Sequence, residues 1–266
     1  MSSGFYEEVF GVSGRVALVT GGSRGIGEMI AEGLVRAGAT TYISSRKVDA
    51  CAAVEARLNA LGGPGICIAI PADVASLEGV DALTAALNER ESRLDILVNN
   101  AGLSWSAKLD DFTEKAWDRV SDINVKGAFF LTQRLLPMLR AAGSRERPSS
   151  VVNIGSIGGL AVADLDNFSY TASKAGLHML TRHLAHVLVK DHVNVNCIAP
   201  GLYKSMMTAP VFATEEAERA VLRAQPMGRW GRMEDIAGLV IFLSSQAGSY
   251  LTGAVIASDG GASTHG

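Results

Sequence analysis

Residues 16–20 form a short apolar run, and the chain then reads Thr20-Gly21-Gly22-Ser23-Arg24-Gly25-Ile26-Gly27 before a helical pattern opens. No other feature constrains the fold as strongly. Glycines at this junction permit a tight turn and let backbone N–H groups approach an anion at a helix N-terminus. The spacing alone is a weak motif; its place between a strand and a helix makes it a dinucleotide pyrophosphate turn.

The same strand–helix rhythm continues to the end of the chain. Apolar runs at 40–44, 66–71, 95–99, 150–155, 193–199 and 254–257 follow the first and read as strands. Helical patterns at 25–37, 48–61, 79–91, 113–140, 169–189 and 233–244 alternate with them. Runs such as Ile96-Leu97-Val98 and Val151-Val152-Asn153-Ile154 are almost continuously apolar, as strands buried on both sheet faces are. The expectation is an α/β chain: one doubly wound Rossmann-type domain over 1–266, with a mostly parallel seven-stranded sheet between helices. Residues of about 202–228 break the alternation and are expected to cover a substrate site.

Composition narrows the function classes. A net charge of −3 without a long basic run gives nucleic acid no footing. Cys51, Cys67 and Cys197 are too few and scattered for a disulfide framework or metal box, and read as reduced, packed thiols. His183 and His186 share a helix face but have no acidic partner at ligand spacing, so no metal site is expected. The first 14 residues lack a signal-peptide pattern, and no stretch reaches the roughly 18–20 apolar residues of a membrane helix. A cytoplasmic protein without membrane attachment is expected.

An acidic residue that holds an adenosine ribose hydroxyl is due about 20 residues beyond the glycine turn. The chain instead reads Ile43-Ser44-Ser45-Arg46-Lys47. A guanidinium forks onto a 2′-phosphate, whereas a carboxylate repels it. Arg46, with Ser45 beside it and Arg24 inside the turn, therefore favours NADP(H) over NAD(H).

Tyr170 and Lys174 stand one helical turn apart, so ammonium and phenol share a face. A free tyrosine titrates near 10, and lowering that by two or three units takes roughly 3–4 kcal/mol. A positive charge about 4 Å away supplies that order at an effective dielectric near 20, so lysine is expected to suffice almost alone. Ser156 follows the fifth strand at the edge where ligands bind such sheets, placed to hydrogen-bond a substrate oxygen. Asn124 lies inside the long 113–140 helical pattern.

These motifs, joined in order by Asp73, Asn99-Asn100-Ala101-Gly102, Pro200-Gly201, Tyr250-Leu251-Thr252-Gly253 and Asp259-Gly260-Gly261, resemble the short-chain dehydrogenase/reductase family. The resemblance implies a catalytic set of Asn124, Ser156, Tyr170 and Lys174. Tyr170 exchanges a proton with substrate, Ser156 steadies the substrate oxygen and Asn124 keeps a relay water near Lys174. It implies an NADP(H) site of Gly21, Ser23, Arg24, Gly25, Ile26, Gly27, Ser45, Arg46, Asp73, Val74, Asn100, Ala101, Gly102, Tyr170, Lys174, Pro200, Gly201 and Ser205. Within that site Asp73 meets the adenine amino group, Asn100 lies against the adenosine ribose, and Pro200-Gly201 faces the nicotinamide. Ser205, which would hold the carboxamide, stands where the family usually has threonine. Ser156 precedes Tyr170 by 14 residues, slightly more than the family pattern.

Pro226-Met227-Gly228-Arg229-Trp230-Gly231-Arg232 and the glycine turn are particularly similar to 3-oxoacyl thioester reductases, including the type linked to rhamnolipid synthesis. That likeness implies a carbonyl substrate on coenzyme A or acyl carrier protein, with Arg140, Arg145 and Arg147 a candidate surface for the acidic carrier. The alternatives are a sugar, polyol, steroid or xenobiotic substrate, or a non-catalytic NADP(H)-binding regulator. Segments 103–108, 158–168 and 203–221 would line the pocket, and their apolar bias disfavours a sugar. The family also implies a homotetramer, consistent with apolar residues on several faces of the helices holding Phe129-Phe130-Leu131 and Leu177, Met179 and Leu180.

Overall fold

The computed structural model describes residues 3–162 and 165–264. Helix α1 (Ser3–Phe10) precedes strand β1 (Val16–Thr20), helix α2 (Gly25–Arg36) and strand β2 (Thr40–Ser44). Then come α3 (Val48–Asn59), β3 (Ile66–Ala69), α4 (Leu77–Asn88) and β4 (Ile96–Asn99). The chain continues through α5 (Glu114–Ser121), a π-turn (Asp122–Lys126), α6 (Gly127–Ala142) and β5 (Ser149–Ile154). Helix α7 (Phe168–Leu188), strand β6 (Val193–Pro200), helices α8 (Glu215–Ala224) and α9 (Met233–Leu243), and strand β7 (Val255–Ser258) complete it.

The seven strands form one sheet in the order β3-β2-β1-β4-β5-β6-β7, every pair parallel. Strand residues alternate between two cores, as a period of two requires. Ala17, Val19, Ile96, Val98 and Val152 face the α2 and α9 side, with Ile30, Leu34 and Val240. Leu18, Leu97, Val151 and Val195 face the other side, with Leu83, Leu87, Leu131 and Leu135 of α4 and α6. The strand order reverses between β1 and β4, and a crevice at the carboxyl ends of the strands opens at such a reversal. Among the described residues no helix is long and apolar enough to cross a membrane.

Four features depart from the sequence expectation. Helix α1 was not foreseen. The pattern over 113–140 is two helices joined by the π-turn, because Asn124 is held sideways by the backbone of Leu103. Gly127 makes the join possible: any side chain there would collide with the Val74 carbonyl. Helix α8 lies inside the segment expected to cover the site. Its Thr214 cap and glutamates at the first turn were legible, but it buries no residue, so apolar periodicity missed it. Finally, Arg140 and Arg147 lie at the amino edge of the sheet, opposite the crevice. Arg140 pairs with Asp191 at 2.8 Å and Arg147 reaches the Gly11 carbonyl, because α6 runs back against the strands. These loop arginines, with neighbouring Arg145, do not border the site. Residues 163–164 of the expected pocket segment 158–168, and 1–2 and 265–266 of the domain, lie outside the described residues.

A buried polar chain crosses the middle of the sheet. Asn99 Nδ2 donates to Thr132 Oγ1 at 3.0 Å and to Asn153 Oδ1 at 2.9 Å, and Asn153 Nδ2 donates to Thr181 Oγ1 at 2.9 Å. It locks the β4–β5 register to α6 and α7. Asn153→Ala leaves an Asn99 proton unpartnered in a dry core, at a cost of about 2–3 kcal/mol. The expected result is a clearly lower urea midpoint with unchanged slope; an unshifted midpoint would show that the chain carries no stability.

Candidate active site

The glycine turn fits an anionic dinucleotide. Gly21 and Gly25 adopt φ of +65° and +55°, which L side chains rarely tolerate. A side chain on Gly27 would strike the Gly21 carbonyl and the Asn100 amide. Helix α2 starts at Gly25 behind an extended Arg24, with no side chain capping its first N–H groups. Those donors and the positive end of the helix dipole face the crevice.

Residues after β4 close the turn from the other side. Asn100 Nδ2 donates to the Thr20 carbonyl at 2.7 Å, and the Asn100 and Ala101 amides both donate to Thr20 Oγ1 at 3.0 Å. Ser23, Ser45, Arg46 and Asp73 gather at the carboxyl ends of β1 to β3. Ser23 Oγ donates to Ser45 Oγ at 2.8 Å, and the Arg46 guanidinium stands 3.9 Å from Asp73. Ile26 is packed against the core, Val74 is buried and Arg24 is exposed. Pro200 ends β6, and Gly201 is pressed against Asp259. Ser205 packs on Gly25, its hydroxyl 3.3 Å from Thr208 Oγ1.

The predicted reacting residues converge between β5 and α7. Lys174 is buried, and its Nζ donates to the carbonyl of Ile154, the last residue of β5, at 2.7 Å. The ammonium lies 5.7 Å from the centre of the Tyr170 ring. Ser156 Oγ accepts from the Gly158 amide at 3.1 Å and lies close enough to the Tyr170 phenol to temper its proton affinity. Asn124 exchanges two 3.0 Å bonds with the Leu103 backbone, and its Nδ2 also donates to Ser173 Oγ at 2.9 Å. Asn124 Oδ1 and Lys174 Nζ approach the same open side of Gly102.

One electrostatic expectation is corrected. Burial raises the Tyr170 phenol above its ordinary value, and the Ser156 hydrogen bond offsets only part of that. The ammonium lies over the ring and spends a proton on the Ile154 carbonyl, so it does not by itself bring the phenol toward neutrality. Burial also draws Lys174 down from 10.5 to about 8.

Several neighbours escaped the sequence reading. His178, one turn beyond Lys174, is buried against Gly155 and Gly159; burial and then the Lys174 charge hold it below the usual histidine value. The i, i+4 spacing from Lys174 was the signal available. Cys51 sits beneath Ser45, and Ser173 meets Asn124; nothing in the sequence marks either. A cavity of about 350 Å³ between Tyr203, Met227, Arg229 and Asp259 contains none of the reacting residues.

A family model described as enoyl-(acyl carrier protein) reductase matches residues 21–263. The rhamnolipids biosynthesis 3-oxoacyl-[acyl-carrier-protein] reductase of Pseudomonas aeruginosa is 49% identical over 252 residues, 95% of this chain and 97% of its own length. The 2-dehydro-3-deoxy-D-gluconate 5-dehydrogenase of Escherichia coli is 36% identical over 256 residues, 95% of this chain and 96% of its own. Among solved structures, the Pseudomonas aeruginosa RhlG/NADP active-site complex superposes with a TM-score of 0.92 at 48% identity, covering 96% of this chain and 99% of that one.

The Lys174 shift has a consequence for stability. Between about pH 8 and 10.5 the unfolded chain binds a proton at Lys174 that the folded protein has released, so this group makes stability rise with pH across that window. At and below pH 8 its buried charge opposes folding by up to about 3 kcal/mol. Lys174→Met should therefore show a larger stability advantage over the parent at pH 7 than at pH 10, by denaturant titration of the cofactor-free protein. A pH-independent difference would refute the shift.

Proposed function

Because the chain belongs to the short-chain dehydrogenase/reductase family, we propose that it is an NADP(H)-dependent 3-oxoacyl thioester reductase in which Tyr170 donates the proton. The observation that carries the reading is the gathering of Ser156 and Tyr170 with the buried Lys174 at the carboxyl end of β5. Two O–H groups at one strand end suit a single substrate oxygen that gains negative charge.

The cofactor is assigned to the cradle of Gly21, Gly25, Ile26 and Gly27, with Asn100, Ala101 and Gly102 flanking it and Ser23, Arg24, Ser45 and Arg46 toward a 2′-phosphate. Asp73 and Val74 are assigned to the adenine end, and Pro200, Gly201 and Ser205 to the nicotinamide end. When bound, the reduced nicotinamide supplies a hydride to the substrate's carbonyl carbon. Ser156 Oγ then donates to the carbonyl oxygen, and Tyr170 Oη passes its proton to the same atom. A phenol raised by burial still does this readily, since an alkoxide is far more basic than a phenolate. Lys174 and Tyr170 also hold the nicotinamide ribose, and Asn124 braces the loop at Leu103 that faces Lys174.

The substrate class follows from the mouth of the site. Loops leaving β4, β5 and β6 carry Trp105, Leu109, Leu160, Val162, Leu165, Met206 and Met207, all solvent-exposed; Val162 is 98% and Met206 69% exposed. The Ala107 amide donates to the Asp166 carbonyl at 3.0 Å, joining two of these loops. Apolar surface there suits an acyl chain and offers little to a polyhydroxylated acid. A silent regulator would have no use for Ser156, Tyr170 and Lys174 together. The segment of about 202–228, with α8, is assigned as the substrate cover. Exposed apolar residues on α7, such as Met179, support a homotetramer, and three buried free thiols suit the reducing cytoplasm.

Acetoacetyl-CoA and longer 3-oxoacyl-CoA esters should oxidise NADPH in the presence of the protein; no turnover at any of several chain lengths would sink the substrate class. Tyr170→Phe should lower kcat by roughly 10²–10⁴-fold while the Kd for NADPH stays within a few-fold. In Arg46→Asp, the NADPH-to-NADH ratio of kcat/KM should fall by at least about tenfold, because a carboxylate repels the 2′-phosphate. An unchanged ratio would remove Arg46 from that role.

A further inference from the structure

Ser45 and Ser23 lie on different loops, yet their hydroxyls are joined by a 2.8 Å hydrogen bond. The link continues inward. Ser45 Oγ stands 3.1 Å from Cys51 Sγ, and that thiol is also 3.8 Å from the Ser45 carbonyl, which it can reach as a donor. The Lys47 amide donates to Ser45 Oγ at 3.4 Å. Cys51 belongs to the first turn of α3 and is fully buried.

A serine hydroxyl has one proton and two lone pairs. Here Ser45 accepts from Ser23 and Lys47, gives its proton to Cys51 Sγ, and the thiol proton turns to the Ser45 carbonyl. The circuit has no loose end, so Ser45 Oγ is fixed in place at the edge of the cleft beside Arg46. A thiol can also run the contact in reverse. With Cys51 donating to Ser45 Oγ in place of Ser23, whose hydroxyl turns away, the Ser45 O–H is released to turn outward, which an anionic oxygen rewards and an uncharged ribose hydroxyl rewards much less.

We infer that Cys51 is a positioning residue for the phosphate-bearing adenosine ribose, acting through Ser45 and so sharpening discrimination between NADP(H) and NAD(H). The inference rests on the assignment of Ser23, Ser45 and Arg46 to the 2′-phosphate. Cys51 itself touches no ligand.

The test is calorimetric titration of the cofactor-free protein with NADP⁺, NAD⁺ and 2′,5′-ADP. Cys51→Ala should weaken NADP⁺ and 2′,5′-ADP by roughly three- to tenfold and NAD⁺ by less than about twofold. Cys51→Ser, which keeps a donor and an acceptor, should stay within about twofold of the parent for all three. Made in a Ser45→Ala background, Cys51→Ala should add no further loss, since its effect passes through Ser45. Should Cys51→Ala fail to fold, Cys51→Val removes the polar group at similar volume and gives the same reading. Equal weakening of NADP⁺ and NAD⁺, or a full additional loss in the Ser45→Ala background, overturns the inference. A parent protein that binds NADP⁺ no better than NAD⁺ overturns the phosphate assignment along with it, whereas a parent preference left undiminished in Cys51→Ala overturns the role of the thiol alone.

Discussion

Lys174 carries its ammonium fully into the interior, where an unpaired charge would be prohibitive. Its bond to the Ile154 carbonyl is the compensation, and the placement of Tyr170 and Ser156 follows from it. Ile154 is where β5 ends, so the bond pins α7 to the carboxyl edge of the central sheet. Tyr170 is one turn earlier on the same helix and is thereby fixed above that edge. Ser156, two residues past Ile154, leaves the strand directly toward the phenol. His178, one turn later, fills the space against Gly155 and Gly159, where any side chain would collide with the imidazole or with the α7 backbone. One buried charge and one strand end thus organise four side chains from two elements.

The parallel sheet was legible because its strands are buried on both faces, and continuous apolar runs such as those around Leu97 and Val151 have few other uses. The glycine turn was legible for a different reason: few residue types meet its backbone and close-contact demands. Tyr170, Lys174, Ser156 and Asn124 were singled out by pattern, and the fold brings them near one another. Elements without an apolar signature were lost. Helix α8 buries no side chain, and the π-turn interrupts a pattern that remains apolar on both sides of it. Cys51 was invisible because its contact with Ser45 is not revealed by any spacing along the chain, whereas His178 left only its i, i+4 spacing from Lys174 as a signal.

The expectation that failed most instructively concerned charge. A Coulomb estimate at fixed distance placed the ammonium at the phenol oxygen and left burial out. In the folded protein both groups are desolvated, so each is pushed toward its neutral form, the phenol up and the amine down. The Ser156 hydrogen bond works against this for Tyr170, yet it is the smaller effect.

That balance bears on direction. Reducing a carbonyl requires a phenol that still holds its proton at neutral pH, and burial guarantees it. Oxidising an alcohol requires the phenolate, which the same burial penalises. Lys174, lying over the ring, carries its charge only while protonated, and near pH 8 that is about half the time. At neutral pH Tyr170 thus begins with its proton, the state that carbonyl reduction uses. Raising the pH discharges Lys174 before it ionises Tyr170.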